Sequence, residues 1–286
     1  MNNSFKLMAV LIVAILFFAC RKIDLGNIQN LNDGQVMVIG HGGSGFPEFS
    51  NQLPANSWTS IERALEGLNA NAVDIDVQLS ADHQLILYHD GRLESQTDCY
   101  GCIPETESET IISCCYRNNF SNNITDHHAV ILLEDLLEHY AESPFTFLLD
   151  LKPFGQCTED IIVDLDTFAT VLTDLVVRLK MEDRIIFNSF FVDLLAKLKA
   201  LNPGFRVFKD GVNFDENFSE ATTIGFNGIT MSNLDIDEDQ VSQAHDAGLW
   251  VILYSVKERF GTADALRKNP DGIITDNIEL LQNFLD

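Results

Sequence analysis

The chain has 286 residues, 46% of them hydrophobic, with 43 acidic against 18 basic side chains and a formal net charge of −25. Phosphate backbones are bound through Lys and Arg, so this balance argues against a nucleic-acid partner, and it weakens docking onto an anionic bilayer by charge alone. A phosphate-bearing ligand entering so acidic a protein needs local positive charge, and a bound divalent cation is one source of it.

In chain order, Lys6 is followed by a thirteen-residue apolar run, Leu7 to Ala19, ending at Cys20. A membrane-spanning helix needs about 20 apolar residues, so the run reads as the core of a secretory signal. Ala19 directly before Cys20 resembles a bacterial lipoprotein processing site, where the cysteine is lipidated and becomes the new N-terminus; a short plain anchor is the alternative. The sequence thus predicts a signal peptide over residues 1–20 ending at lipidated Cys20, a polar tether over 21–35 and one folded domain over 36–286. Such a lipid would hold the domain at a membrane of the bacterial cell envelope, periplasmic or surface-exposed.

Apolar, β-branched runs predict strands at 36–41, 72–78, 84–89, 145–151, 184–189, 206–209, 228–231, 250–255 and 272–275. Helical periodicity lies between them, from Trp58 to Leu68, Leu132 to Ala141, Glu159 to Leu179, Val192 to Leu201, Glu238 to Ala247, Ala263 to Lys268 and Ile278 to Leu285. This alternation predicts an α/β fold with a parallel sheet, and its count points to an eight-stranded (β/α)8 barrel, with a doubly wound open sheet as the alternative. One region breaks the rhythm. Residues 91–130 are polar and carry Cys99, Cys102, Cys114 and Cys115, which predicts a Cys-rich insertion after the second β region, over the face where barrels build their sites. In an exported chain these cysteines read as two local disulfides of unassigned connectivity rather than as a zinc site, leaving Cys157 as a free thiol or core residue.

Three strand ends carry chemistry. An Asp-x-Asp strand, Asp74 and Asp76, lies between two strands that end in His41 and His89. Alternate residues of a strand share a face, so Asp74 and Asp76 point to one side, and two ionised carboxylates that close repel unless a cation or partner sits between them. Their oxygens suit calcium or magnesium. Asp150 and Lys152 repeat the spacing at the end of a later strand, where Lys152 could set positive charge on a phosphoryl oxygen. Histidine titrates near neutrality and serves as acid or base; which of His41 and His89 would do which is open. His83, His127, His128, His139 and His245 sit in polar or helical surroundings and read as surface residues, and Tyr254 as either a pocket wall or a core aromatic.

The order His41-Gly42-Gly43, Pro54-Ala55-Asn56-Ser57, Asp74-Ile75-Asp76-Val77, His89-Asp90, Asp150-Leu151-Lys152 and Gly272-Ile273-Ile274-Thr275-Asp276 resembles the glycerophosphodiester phosphodiesterases. That family commonly shows His-Arg-Gly, Pro-Glu-Asn-Thr, Glu-x-Asp-Val, His-Asp, Glu-x-Lys and Gly-Ile-x-Thr-Asp. Phe187-Asn188-Ser189-Phe190 and Tyr254-Ser255-Val256-Lys257 are similar to two further family stretches. The resemblance implies a barrel of the triosephosphate isomerase type and metal-dependent hydrolysis of glycerophosphodiesters to glycerol 3-phosphate and an alcohol. It further implies His41 and His89 as the acid-base pair, Asp74, Asp76 and Asp150 as ligands of Ca2+ or Mg2+, and Lys152 as a phosphate contact. Gly42 and Ala55 depart from the pattern, standing where the family has Arg and Glu. Two other readings stay open: a phospholipase-like phosphodiester lyase, and a non-catalytic lipoprotein that binds phosphorylated ligands.

Overall fold

The computed structural model describes residues 27–46, 51–117, 128–153 and 163–286. The expected signal peptide with Cys20, most of the first half of the tether, His127 and Cys157 lie outside the described residues.

One sheet of ten strands is formed by β1 (Met37–His41), β2 (Ala72–Leu79), β3 (Leu85–Leu87), β4 (Ile131–Leu132), β5 (Thr146–Leu151), β6 (Ile185–Ser189), β7 (Arg206–Asp210), β8 (Gly228–Ser232), β9 (Trp250–Val256) and β10 (Gly272–Thr275). All but β3 and β4 pair in parallel around a ring, which the β1–β2 pairing closes. The result is the closed (β/α)8 barrel that the alternation predicted, and not an open sheet.

The expected strand at 84–89 belongs elsewhere. β2 runs past the barrel rim and returns as β3 in an antiparallel hairpin, Val77 facing Leu87 and Leu79 facing Leu85, and β4 adds to that hairpin's outer edge. The return brings the chain back to the mouth, where Tyr88 N–H donates to the Asp76 carbonyl at 3.2 Å. His89 is therefore delivered by an overhanging hairpin instead of by a barrel strand.

Inward-facing residues follow the period of two and change character with height. Low in the barrel, Ile39, Ala72, Leu148, Ile186, Phe208 and Ile252 form an apolar plug. Two residues further along their strands stand His41, Asp74, Asp150, Asn188, Asp210 and Tyr254, so the plug gives way in one step to a polar mouth. The outward faces of the strands pack on helices in the main core, with Val73, Ile75, Phe147, Leu149 and Phe187 fully buried.

Most predicted helices are present, including Val192–Leu201 and Ile278–Leu285. The helix read from Glu159 starts at Leu165, capped by the Asp164 carboxylate, and the one read from Ala263 starts earlier, at Arg259. A helix at Phe214–Ile224 has no counterpart in the sequence reading; Phe214 and Ala221 are its buried apolar contacts, too sparse to set a stripe, and Asn213 caps it.

The insertion folds around its own small core of Ile86, Tyr88, Leu93, Ile103, Ile111, Cys114, Tyr116 and Val130. Cys99 and Cys114 form a disulfide. Two disulfides within the four-cysteine cluster were expected; Cys102 is disulfide-bonded as well, whereas Cys115 is a free thiol. Of the histidines read as surface residues, His83 and His139 are exposed, whereas His128 is half-buried and bonds Thr59 Oγ1 at 2.7 Å. His245 is a correction: only 12% of its side chain is accessible, and it pairs at 3.0 Å with buried Asp271 beneath β10.

Candidate active site

The mouth gathers the predicted residues from four segments. His41 ends β1, with Nδ1 2.9 Å from Asp276 Oδ1 in the turn after β10. That carboxylate also accepts from the Phe46 N–H at 3.1 Å. Burial would raise the Asp276 pKa, but the His41 contact outweighs it and holds the carboxyl below its ordinary range. On the hairpin, His89 Nδ1 lies 2.7 Å from Asp90 Oδ1, and Gln96 of the insertion donates to Asp90 Oδ2 at 3.0 Å. The bond to Asp90 raises the His89 pKa against the opposing effect of burial. The Phe46 ring spaces the two imidazoles, its centroid 4.4 Å from that of His41 and 5.2 Å from that of His89.

Between the histidines lie the acidic residues. Asp76 on β2 sits level with Asp150 on β5, and Asp150 with Asn188 on β6. Lys152 leaves β5 and bridges the two carboxylates, 2.8 Å from Asp76 Oδ1 and 3.2 Å from Asp150 Oδ2. Burial would lower the Lys152 pKa; the flanking carboxylates reverse that and hold it well above its ordinary value. Burial likewise opposes ionisation of Asp76, but Lys152 and His89 win and its pKa falls. For Asp74 the pull of Lys152 is outweighed. Burial, then the charges of Asp150 and Asp76, push its pKa well up, and its Oδ1 is buried with no partner. Burial also raises Asp150.

Several functional positions carry no individual signal in the sequence. Asn56 is fully buried in the left-handed region at φ 63° and clamps Asp76 from both sides. Its Nδ2 donates to Asp76 Oδ2 at 2.7 Å, and its Oδ1 accepts from the Asp76 N–H at 2.9 Å. Asp276 and Asp90 orient the histidines, and the His-Asp and Thr-Asp pairs quoted above are the only sequence signal for them. Asp210 at the end of β7 is a fourth carboxylate of the mouth; burial, then the Asp150 charge, push its pKa up to about 7. Tyr254 lines the mouth cavity and packs on the apolar plug, so it is both wall and core aromatic.

Two cavities meet at the mouth, sharing Asp150 and Phe190. One, about 350 Å³, is bordered by Gln78, His89, Lys152 and Phe191; the other, about 270 Å³, by His41, Asp74, Asn188, Asp210, Thr230 and Tyr254.

Residues 49–280 match the model of the glycerophosphoryl diester phosphodiesterase family. The chain belongs to this family of phosphoric diester hydrolases. His41 lies just before the matched stretch, and the barrel closure of β1 brings it to the same mouth. A glycerophosphodiester phosphodiesterase of Caldanaerobacter subterraneus is 22% identical over 88% of this chain and 98% of its own length. An uncharacterized Bacillus subtilis protein is 27% identical, but the match spans 54% of this chain and 60% of that relative. Among solved structures, a glycerophosphodiester phosphodiesterase from Parabacteroides distasonis superposes with a TM-score of 0.72 at 22% identity, covering 87% of this chain and 96% of the other. An Oleispira antarctica phosphodiesterase in complex with the product sn-glycerol-3-phosphate superposes with a TM-score of 0.74 at 22% identity, covering 87% and 96%. These likenesses reinforce the fold.

The family's Arg and Glu are absent at Gly42 and Ala55, and the two departures touch. Gly42 has φ +58°, and a Cβ built on it would stand 2.7 Å from Ala55 Cβ. The local backbone has no room for a side chain at 42 while residue 55 packs there.

Among the described residues no three His, Cys, Asp or Glu side chains converge closely enough to hold a metal as they stand. Lys152 occupies the space between two of the expected ligands. The chemistry of the donor set still fits a hard divalent cation. Asp74 offers an orphaned buried oxygen, and Asp74, Asp76, Asp150 and Asp210 share the mouth with one ammonium directed among them, that of Lys152.

Proposed function

We propose that this chain hydrolyses glycerophosphodiesters to glycerol 3-phosphate and an alcohol. The observation that carries the reading is the pair of carboxylate-backed histidines on either side of a mouth holding Lys152 and an excess of carboxylates. A histidine held by a carboxylate at Nδ1 presents Nε2 to a substrate, which supports an acid-base role for His41 and His89. One of the pair would accept a proton from the attacking hydroxyl while the other protonates the departing alcohol, and the bond to Asp90 raises the His89 pKa. Lys152 lies where its ammonium can meet a phosphoryl oxygen once Asp76 or Asp150 is otherwise engaged.

Asp74, Asp76 and Asp150 would hold a divalent cation, Ca2+ or Mg2+. Bound there, it supplies Lewis-acid stabilisation of charge on the phosphoryl oxygens. Lipidation at Cys20 is part of the same proposal, supported by the apolar run that precedes it; mass spectrometry of the mature N-terminus tests it, and Cys20→Ser should abolish membrane retention.

The deciding assay follows glycerol 3-phosphate release from glycerophosphodiesters with and without a chelator. The expected outcome is release that chelation stops and that falls about 100-fold or more in His41→Ala and in His89→Ala. Undiminished release in both variants would remove the mechanism.

A further inference from the structure

We propose that the cavity on the His41 side of the mouth receives the departing alcohol and selects one that carries a primary ammonium, with Asp210 as its counter-ion. The inference rests on the phosphodiesterase reading above and names the substrate class of the same site.

The cavity is defined by what its walls lack. Beside Asp74, assigned above to the cation, Asn188 Oδ1, Asp210 Oδ1 and Thr230 Oγ1 are all buried without a hydrogen-bond partner, and all three residues border this one space of about 270 Å³. A buried polar atom left unpaired costs free energy, and native proteins hold few such atoms. Three on residues that wall one cavity mark a surface shaped for a ligand. Two of them are carboxylate or amide oxygens that only accept, and the Thr230 hydroxyl can accept as well. The complementary ligand is rich in N–H or O–H donors.

Charge narrows the choice. Asp210 is 6% exposed, Asn188 3% and Thr230 1%. Lys209, next to Asp210 on β7, faces outward; its Nζ donates to the Asp210 backbone carbonyl at 2.6 Å and lies 3.4 Å from Glu220. Lys152 is committed to Asp76 and Asp150. The Asp210 carboxyl thus faces the cavity with no ammonium of the protein directed to its free oxygen among the described residues. A primary ammonium brings three N–H donors and the missing positive charge together. A quaternary ammonium brings the charge without donors, and a neutral diol brings donors without the charge. With phosphate between the histidines, Phe190 divides the two ester arms, and the larger cavity beside His89 and Lys152 is left for the glycerol.

The test measures kcat/KM for glycerophosphoethanolamine, glycerophosphocholine and glycerophosphoglycerol, which share glycerol and phosphate and differ in the departing alcohol. The full chain, Asp210→Asn and Thr230→Val are compared, each checked for folding by thermal melting. The expected result is a preference for the ethanolamine ester of roughly tenfold, equivalent to about 1.4 kcal/mol, which collapses in Asp210→Asn and shrinks in Thr230→Val. If Asp210→Asn does not fold, Thr230→Val decides. Equal losses on all three esters would make Asp210 a structural or cation-binding residue and overturn the proposal. So would a parent preference for the choline or glycerol ester. If no ester is cleaved, the hydrolase reading falls by itself, and calorimetric binding of O-phosphoethanolamine against phosphocholine still decides this one. Tighter binding of the primary amine, lost in Asp210→Asn, supports it, and equal binding ends it.

Discussion

At the residue scale, the two departures from the family pattern resolve into a single packed contact. An arginine restored at position 42 would meet Ala55 and would have to adopt φ +58°. Gly42→Arg is therefore expected to destabilise the protein by about 1–3 kcal/mol without raising activity, a result readable from denaturant melts alongside the release assay. Asn56 carries the opposite lesson. Its two bonds hold Asp76 in place, so Asn56→Ala should cost about 10- to 100-fold in kcat/KM; activity within twofold of the parent would show that Asp76 needs no such clamp. Asp210 makes a prediction about pH. Its folded pKa, about 7, lies above the ordinary 3.8 because of burial and then Asp150. A carboxyl raised on folding leaves stability intact below its unfolded pKa and drains it as pH rises through the folded one. In metal-free protein, Asp210→Asn should match the parent below pH 4 and exceed it by up to roughly 4 kcal/mol at pH 8. Melting curves at the two pH values check this, and a gain of equal size at both would refute it.

At the element scale, the hairpin of β2 and β3 does what a barrel strand was expected to do. Its sequence, alternating and apolar up to Tyr88, is indistinguishable from a ring strand, because period-two burial records that a face is covered and not which neighbour covers it. The eight ring strands were legible for the same reason, each being short and apolar on both faces. Asp210 was not: the strand predicted at 206–209 stops one residue short of it, since a second charge directly after Lys209 reads as the start of a loop. The pairing of Asp210 with Thr230 keeps it in the strand, where the period points it inward. His41, Asp74, Asp76, His89, Asp150 and Lys152 were legible as a set because each stands within or just past an apolar strand run, while their partners Asn56, Asp90 and Asp276 come from turns whose path no periodicity encodes. The insertion supplies the Gln96 bond to Asp90 and is tied across a separation of 15 residues by Cys99–Cys114. A closed loop of that size contributes about 3 kcal/mol in the chain-entropy account. Cys99→Ser should expose residues 91–117 to limited proteolysis before the barrel unfolds and reduce kcat/KM severalfold; a proteolysis pattern like the parent's would show that the small core alone holds the insertion.

At the scale of the whole molecule, the two ends of the barrel are chemically unlike. The mouth is acidic and polar, while the floor is sealed by the apolar plug and by the segment that leads into β1. That segment is fastened under β10, where the Leu31 N–H donates to Asp271 Oδ1 at 2.7 Å, Asn30 Nδ2 to the Pro270 carbonyl at 2.8 Å, and the Gln29 N–H to Asn269 Oδ1 at 2.9 Å. This fixes a direction of approach. A lipid on Cys20 would be joined to the fastened segment by the eight residues before Gln29, a reach of roughly 30 Å at full extension, whereas a globule of about 250 residues is roughly 45 Å across. The leash is shorter than the body it holds, so the barrel would stand on its floor with the mouth turned from the bilayer. An enzyme held in that posture would harvest small esters arriving by diffusion from the aqueous side, and the lipids packed around such an anchor would stay beyond its bite.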